Sequence, residues 1–141
     1  MMLVDTNVIS EVMKSAPSAV VVGWLNAQAP GSLYLSAVTI GEIEFGLCIL
    51  PVGNRRTRLK DRFERFVSLA FVQRVLAFDE PCARAYGEIM GLRREMGRPM
   101  TVPDGQIAAI ARANGLGIAT RNTRDFENCG VDLIDPFADG P

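Results

Sequence analysis

The chain has 141 residues, 48% of them hydrophobic, with 15 basic and 16 acidic side chains and a net charge of −1. That is the length and composition of one globular domain with a real core, and no global excess of positive charge marks it as a nucleic-acid binder, although a local stripe still could. It contains no histidine, which excludes Ser-His-Asp and Cys-His nucleophilic catalysis, HExxH zinc hydrolysis and histidine acid–base ribonuclease chemistry.

Met2-Leu3-Val4 reads as a short buried strand that ends on an acid, Asp5, with a brief helix following over 7–13. Ala16-Pro17-Ser18 is a turn into a second helix over 19–29, with Val20, Val21, Trp24 and Leu25 on one face. Leu33–Ser36 is a second strand. Ile40, Ile43, Leu47 and Leu50 then repeat at helical spacing over 39–50, until Pro51-Val52-Gly53 breaks the pattern. Residues 54–70 read as a long basic helix. Leu59, Phe63, Phe66 and Leu69 form its apolar stripe, and Arg55, Arg56, Arg58, Lys60, Arg62 and Arg65 crowd the remainder. Such a basic face is either ordinary solvated surface or a stripe for phosphates or a partner.

A third strand is expected over 74–78, a helix over 80–96 and a loop over 97–103. A small-residue helix opens at Asp104 and runs to 114, with Gly115 as its C-terminal cap; strands follow at 116–119 and 131–134, and 136–141 reads as a frayed tail. Short apolar strands separated by helices predict a three-layer α/β/α domain over 1–141 with a short, mostly parallel central sheet. Cys48, Cys82 and Cys129 are scattered and odd in number, as expected of reduced packing thiols. No apolar run approaches membrane-spanning length and no leader pattern opens the chain, so the expected location is the cytoplasm, away from any membrane.

In open parallel sheets, ligands gather outside the carboxyl ends of the strands. Four acids fall there or at helix starts: Asp5, Glu42, Asp104 and Asp125. Each also has an ordinary role. Asp5 can cap the first helix, Thr39-Ile40-Gly41-Glu42 matches a capping box, Pro103-Asp104 suits a helix N-terminus, and Asp125 can be a surface acid. Asp79 is set aside as the N-cap of a proline-started helix. Together, though, converging carboxylates repel, and a divalent cation relieves that cost. Oxygen-only ligation suits Mg²⁺ or Mn²⁺, as one or two ions, in metal-assisted phosphodiester hydrolysis. Thr6, Asn7, Thr120 and Asn122 supply neutral groups to orient the acids, and Arg93, Arg94, Arg98, Arg121 and Arg124 could hold a nucleic-acid backbone.

The segments MLVDTNVISE, SAVTIGEIEFGL, PDGQIAAIARANG and ATRNTRDFENCG, taken in that order, resemble PIN-domain ribonucleases, most closely VapC toxins of type II toxin–antitoxin systems and their FitB-like branch. The resemblance runs from Met2 to about Phe137. It implies a PIN-like fold and Mg²⁺- or Mn²⁺-dependent endoribonuclease activity. It also implies neutralisation by a small cognate antitoxin and a homodimer. By position it makes Asp5, Glu42, Asp104 and Asp125 the metal-binding acids. One departure is Gly105, where alanine is more usual, which predicts a looser start to that helix. The competing expectation is a non-catalytic PIN-like module that binds RNA or an antitoxin. An aspartyl-phosphate chemistry at Asp5 fits poorly, because DxDxT is absent and the chain's lysines are Lys14 and Lys60.

Overall fold

Leu3 and Val4 are both fully buried, yet they belong to different cores. Successive side chains of a strand point to opposite faces, so a strand apolar at every position must be covered on both sides. The computed structural model describes residues 1–138 and has this arrangement. Its strands are β1 (Met2–Val4), β2 (Leu33–Ser36), β3 (Val75–Leu76), β4 (Gly117–Ala119) and β5 (Leu133–Ile134). They form one sheet in the order β3-β2-β1-β4-β5, and every neighbouring pair is parallel.

On one face lie α1 (Thr6–Val12), α2 (Ala19–Ala27), α3 (Ala37–Cys48) and α4 (Asn54–Ala70), which enclose Val4, Val8, Ile9, Val21, Leu35, Ile43 and Phe63. On the other lie α5 (Glu80–Glu95) and α6 (Val102–Ala113), packed over Leu3, Ile89, Ile107, Ile110 and Ile118. The result is the α/β/α sandwich expected from the sequence. The chain moves outward from β1 through β2 to β3, then crosses back to β4 and β5 on the other side. The order therefore reverses at β1, and a crevice opens at its carboxyl end, where ligands bind in sheets of this kind.

Several local expectations change. β3 is a two-residue edge strand bonded on one side only, and 77–78 leave the ladder. Leu69 is 74% exposed, so the buried stripe of α4 is Phe63 with Leu59, Phe66 and Val67 partly covered. Val20 is exposed beside buried Val21, and Cys48 is exposed, while Cys82 and Cys129 are buried thiols. The C-terminal cap is as expected: Gly115 has φ +67 after Asn114. Of the tail, Phe137 packs into the α1–α4 core, and 139–141 lie outside the described residues.

Gly105 is buried, and a Cβ there would stand 2.5 Å from Met90 Sδ and 3.0 Å from Tyr86 Cε2. Glycine here lets α6 approach α5 closely, which is the opposite of a loose helix start. Nor is Thr39 a helix cap. Ser36, fully buried at the end of β2, caps α3 by accepting from Thr39 N at 2.9 Å, and it donates to Thr39 Oγ1 at 3.2 Å. Ser36→Ala should lower stability by about 1–2 kcal/mol in a denaturant titration, because a cap and a buried partner go together.

Candidate active site

Asp5 follows β1 directly, and its N–H donates to Ala119 O of β4 at 2.9 Å, so sheet pairing fixes its position. It is 5% exposed. Oδ1 accepts from Thr6 N at 2.8 Å, which makes Asp5 the N-cap of α1. Oδ2 accepts from Thr120 Oγ1 at 2.8 Å and from Asn7 Nδ2 at 3.3 Å. Thr120 sits at the end of β4, fully buried, and its hydroxyl also receives Asn7 Nδ2 at 3.2 Å and Asn122 N at 3.1 Å. Asn7 is held in turn, since its Oδ1 accepts from Arg121 N at 3.2 Å. Thr120, Asn7 and Asn122 thus orient the acid by direct contact or through Thr120. Burial raises the Asp5 carboxyl from 3.8 to about 6; hydrogen bonds from Thr120 and Thr6 oppose that rise, and the charges of Asp104 and Glu42 add to it.

Glu42 reaches the same crevice from the second turn of α3. Its Oε1 accepts from Thr6 Oγ1 at 2.7 Å, and Thr6 Oγ1 lies 3.0 Å from Thr39 Oγ1. Glu42 is therefore fixed across the gap to α1 and is no part of a capping box. Asp104 lies in the first turn of α6, which begins at Val102 and is capped by Thr101, whose Oγ1 accepts from Asp104 N at 3.3 Å. Burial pushes the Asp104 carboxyl up; Thr101 offsets this, Asp125 and Glu42 reinforce it, and Arg93 opposes it.

Asp5, Glu42 and Asp104 line one cleft of about 450 Å³, together with Thr6, Asn7 and Asn122. Asp125 is not among its walls. It sits exposed on the 3₁₀ turn Thr123–Phe126, close enough to Asp104 to raise its pKa. Among the described residues, no three acids are close enough together to hold an ion by themselves. Mg²⁺ needs no closed cage, since it keeps several waters and takes one or two carboxylates. An all-oxygen donor set, with the carboxyls of Asp5 and Asp104 both raised by burial and by neighbouring carboxylates, fits such a hydrated cation.

Ser10, Glu11 and Lys14 also line the cleft and were not among the expected site residues. They follow Asn7 at helical spacing, Ser10 and Glu11 on α1 and Lys14 just past its end, and that periodicity was the available signal. Glu11 Oε1 accepts from Lys14 Nζ at 2.9 Å and Oε2 from Ser18 N at 3.0 Å, and these bonds hold its carboxyl below the usual range.

The arginines divide sharply. Arg121 is exposed at the cleft wall, with its guanidinium 4.4 Å from the Phe137 ring centroid. Arg94 and Arg124 are exposed away from it, and Arg98 pairs with Glu127 at 3.0 Å. Arg93 does not face solvent. It is 4% exposed, with Nε donating to Arg98 O at 2.7 Å and Nη1 to the carbonyls of Asp125 and Glu127, each at 2.9 Å. Its donors are engaged inside the fold, so it braces the turn that carries Asp125 and is not a backbone-binding arginine.

A short all-parallel sheet with acids gathered at its reversal point defines a class that the known proteins confirm. Residues 2–131 match the family model described as "PIN domain". The chain is 44% identical to "VapC ribonuclease Y4jK" of Sinorhizobium fredii over 97% of its length and 98% of that protein's. It is 37% identical to "Toxin FitB" of Neisseria gonorrhoeae, over 99% of its length and all of that protein's. A solved structure of FitAB bound to an IR36 DNA fragment contains a chain that superposes with a TM-score of 0.92 at 35% identity, covering 100% of this chain and 99% of that one. The chain belongs to the PIN-domain family.

Proposed function

We propose that the protein is a divalent-metal-dependent endoribonuclease that acts as the toxin of a type II toxin–antitoxin pair. One observation carries this: a buried aspartate, Asp5, stands at the reversal point of the sheet with Glu42 and Asp104 facing it, and its pKa is raised to about 6. Mg²⁺ or Mn²⁺ would be held by Asp5 and Asp104, with Glu42 and Asp125 assisting through water, as one or two ions. Bound there, such an ion supplies a Lewis acid for phosphate oxygens and water acidic enough to attack a phosphodiester near neutral pH.

The chain's own residues do the rest. Thr6, Asn7 and Thr120 fix Asp5 and Glu42 in one orientation, so neither of these two carboxylates has to be reordered when substrate arrives. Arg121 and Lys14 supply positive charge at the wall of an otherwise acidic cleft, where an RNA phosphate must approach. The relatives, one named as a ribonuclease and one as a toxin, support this class of activity. A cognate antitoxin is the proposed protein partner, RNA the substrate and a homodimer the assembly. Among the described residues no helix is long and apolar enough to cross a membrane.

The wide spacing of the acids favours a second reading, a non-catalytic module that binds RNA or an antitoxin. Retention of all four acids opposes it. Purified protein should cleave single-stranded RNA in Mg²⁺ or Mn²⁺, stop on addition of EDTA, and recover when the metal is restored in excess. RNA left intact after long incubation with metal, together with no cation binding by calorimetry, would establish the module instead.

A further inference from the structure

A groove of about 770 Å³ lies beside the acid cleft and shares Thr6, Ser10, Lys14 and Glu42 with it. Ile43 and Leu47 of α3 and Leu59 of α4 form its apolar floor. Arg55, Arg58 and Arg62 form its rim, and all three are exposed. Their spacing of three and four residues sets them on one side of α4, about 4.5 and 6 Å apart along the axis at 1.5 Å per residue.

Two features show that folding alone does not account for these cations. Among the described residues none of the three is in an ion pair, and Arg55 and Arg58 make no side-chain hydrogen bond. Arg62 is held by its Nη1, which donates to Met13 O at 2.7 Å. In addition, Arg55 and Arg56 stand in the first turn of α4, which has no acid and no side-chain cap on Gly53. The helix dipole disfavours cations at that end, so the arrangement weakens the helix and concentrates positive potential along the rim.

We propose that the RNA strand leaving the acid cleft runs along this groove, with its phosphates on Lys14, Arg62, Arg58 and Arg55 and its riboses and bases against the aliphatic floor. The inference rests on the reading of the cleft as a ribonuclease site and gives that site a substrate track. A nucleic-acid strand carries a charge at every step, and α4 offers a cation at each turn, beginning where the acids end. The continuity of the two grooves at Lys14 is what favours RNA over an acidic peptide.

The test is binding of a fluorescein-labelled 12-nucleotide single-stranded RNA by the whole protein in EDTA, followed against KCl concentration. Four phosphate contacts predict a slope of log K on log salt of about −2.8, at 0.7 per phosphate. Arg55→Gln with Arg58→Gln should make that slope shallower by about 1.4 and raise Kd roughly tenfold at low salt. Lys60→Gln with Arg65→Gln removes the same charge from outside the groove and should leave the slope near the wild-type value. Equal slopes for wild type and the groove variant, or an equal change in both variants, would overturn the track. So would unchanged RNA affinity alongside lost binding of the cognate antitoxin, which would give the groove to a protein. Cleavage of the same RNA by wild type in Mg²⁺ is recorded in parallel. Cleavage with unaltered slopes condemns the track alone, whereas neither binding nor cleavage condemns the reading of the site as well.

Discussion

Asp5→Asn should abolish RNA cleavage and, in the absence of metal, make the protein more stable. The two effects have one cause. Asp5 is buried, with its carboxyl raised from 3.8 to about 6. The folded state therefore holds its proton to higher pH than the unfolded state does. Between about pH 4 and 6 the unfolded chain binds fewer protons, so stability falls as pH rises through this window and stays low above it. The gap of about two pKa units corresponds to roughly 3 kcal/mol. Asparagine is the same size, keeps an oxygen for Thr6 N to cap α1 and carries no charge; its amide nitrogen replaces Oδ2, which accepts from Thr120 Oγ1 and Asn7 Nδ2, and the loss of those bonds subtracts from the gain.

The metal-free variant should thus exceed wild type by up to about 3 kcal/mol at pH 7–8, with the difference vanishing below about pH 4. Adding Mg²⁺ or Mn²⁺ should stabilise wild type, by about 2.7 kcal/mol at a hundred times the dissociation constant, and leave the variant nearly unmoved. Loss of the first carboxylate should lower kcat/KM by more than roughly 100-fold. Urea titrations with and without metal, beside single-turnover cleavage, separate the two effects. A folded variant that cleaves like wild type removes Asp5 from the chemistry. One that is less stable than wild type at pH 8 removes the argument from burial.

Arg93→Met should cost about 3–5 kcal/mol, the scale of leaving a buried charged hydrogen-bond network unpaired. Arg93 is a buried cation whose side chain pairs with no carboxylate among the described residues; its charge is satisfied by the carbonyls of Arg98, Asp125 and Glu127. Methionine fills much of the volume and offers no donor, so three carbonyls lose their partner together. Arg93→Lys keeps the charge but not the planar fork, and should recover only part of the loss. Equilibrium unfolding measures the total, and amide exchange over 123–129 should show the opening concentrated in the turn that carries Asp125. A methionine variant within about 1 kcal/mol of wild type, inside ordinary surface-mutation effects, would show that the brace is not needed.

Much of this protein can be read from its sequence because its strands are short, apolar at successive positions and separated by helical patterns. Such strands can only be buried on both faces, which forces a parallel sheet between helices. The same logic sets Asp5 beyond a buried strand, at the carboxyl edge of the sheet. The absence of histidine narrows the chemistry further.

Other features depend on contacts between residues far apart in the chain. The Thr120 hydroxyl reaches Asp5 across 115 positions only because β4 pairs with β1 in one register, and a slip of one residue would turn it to the other face. Glu42 in a Thr39 capping box is locally plausible, but its carboxylate is engaged instead by the Thr6 hydroxyl, 36 positions away on α1. Arg93 reads as surface charge because helical spacing gives a side chain's direction without saying what covers it. Asp125 looks equal to the other acids in the sequence, yet the turn that carries it leaves the carboxylate outside the cleft, beside Asp104. The sequence by itself determined the sandwich and the place of Asp5 just beyond its first strand, because these follow from residue type and local period. Only the tertiary structure decided which acids share a cleft, which arginine is buried and which groove adjoins the site, because those depend on strand register and on which face of each helix is covered.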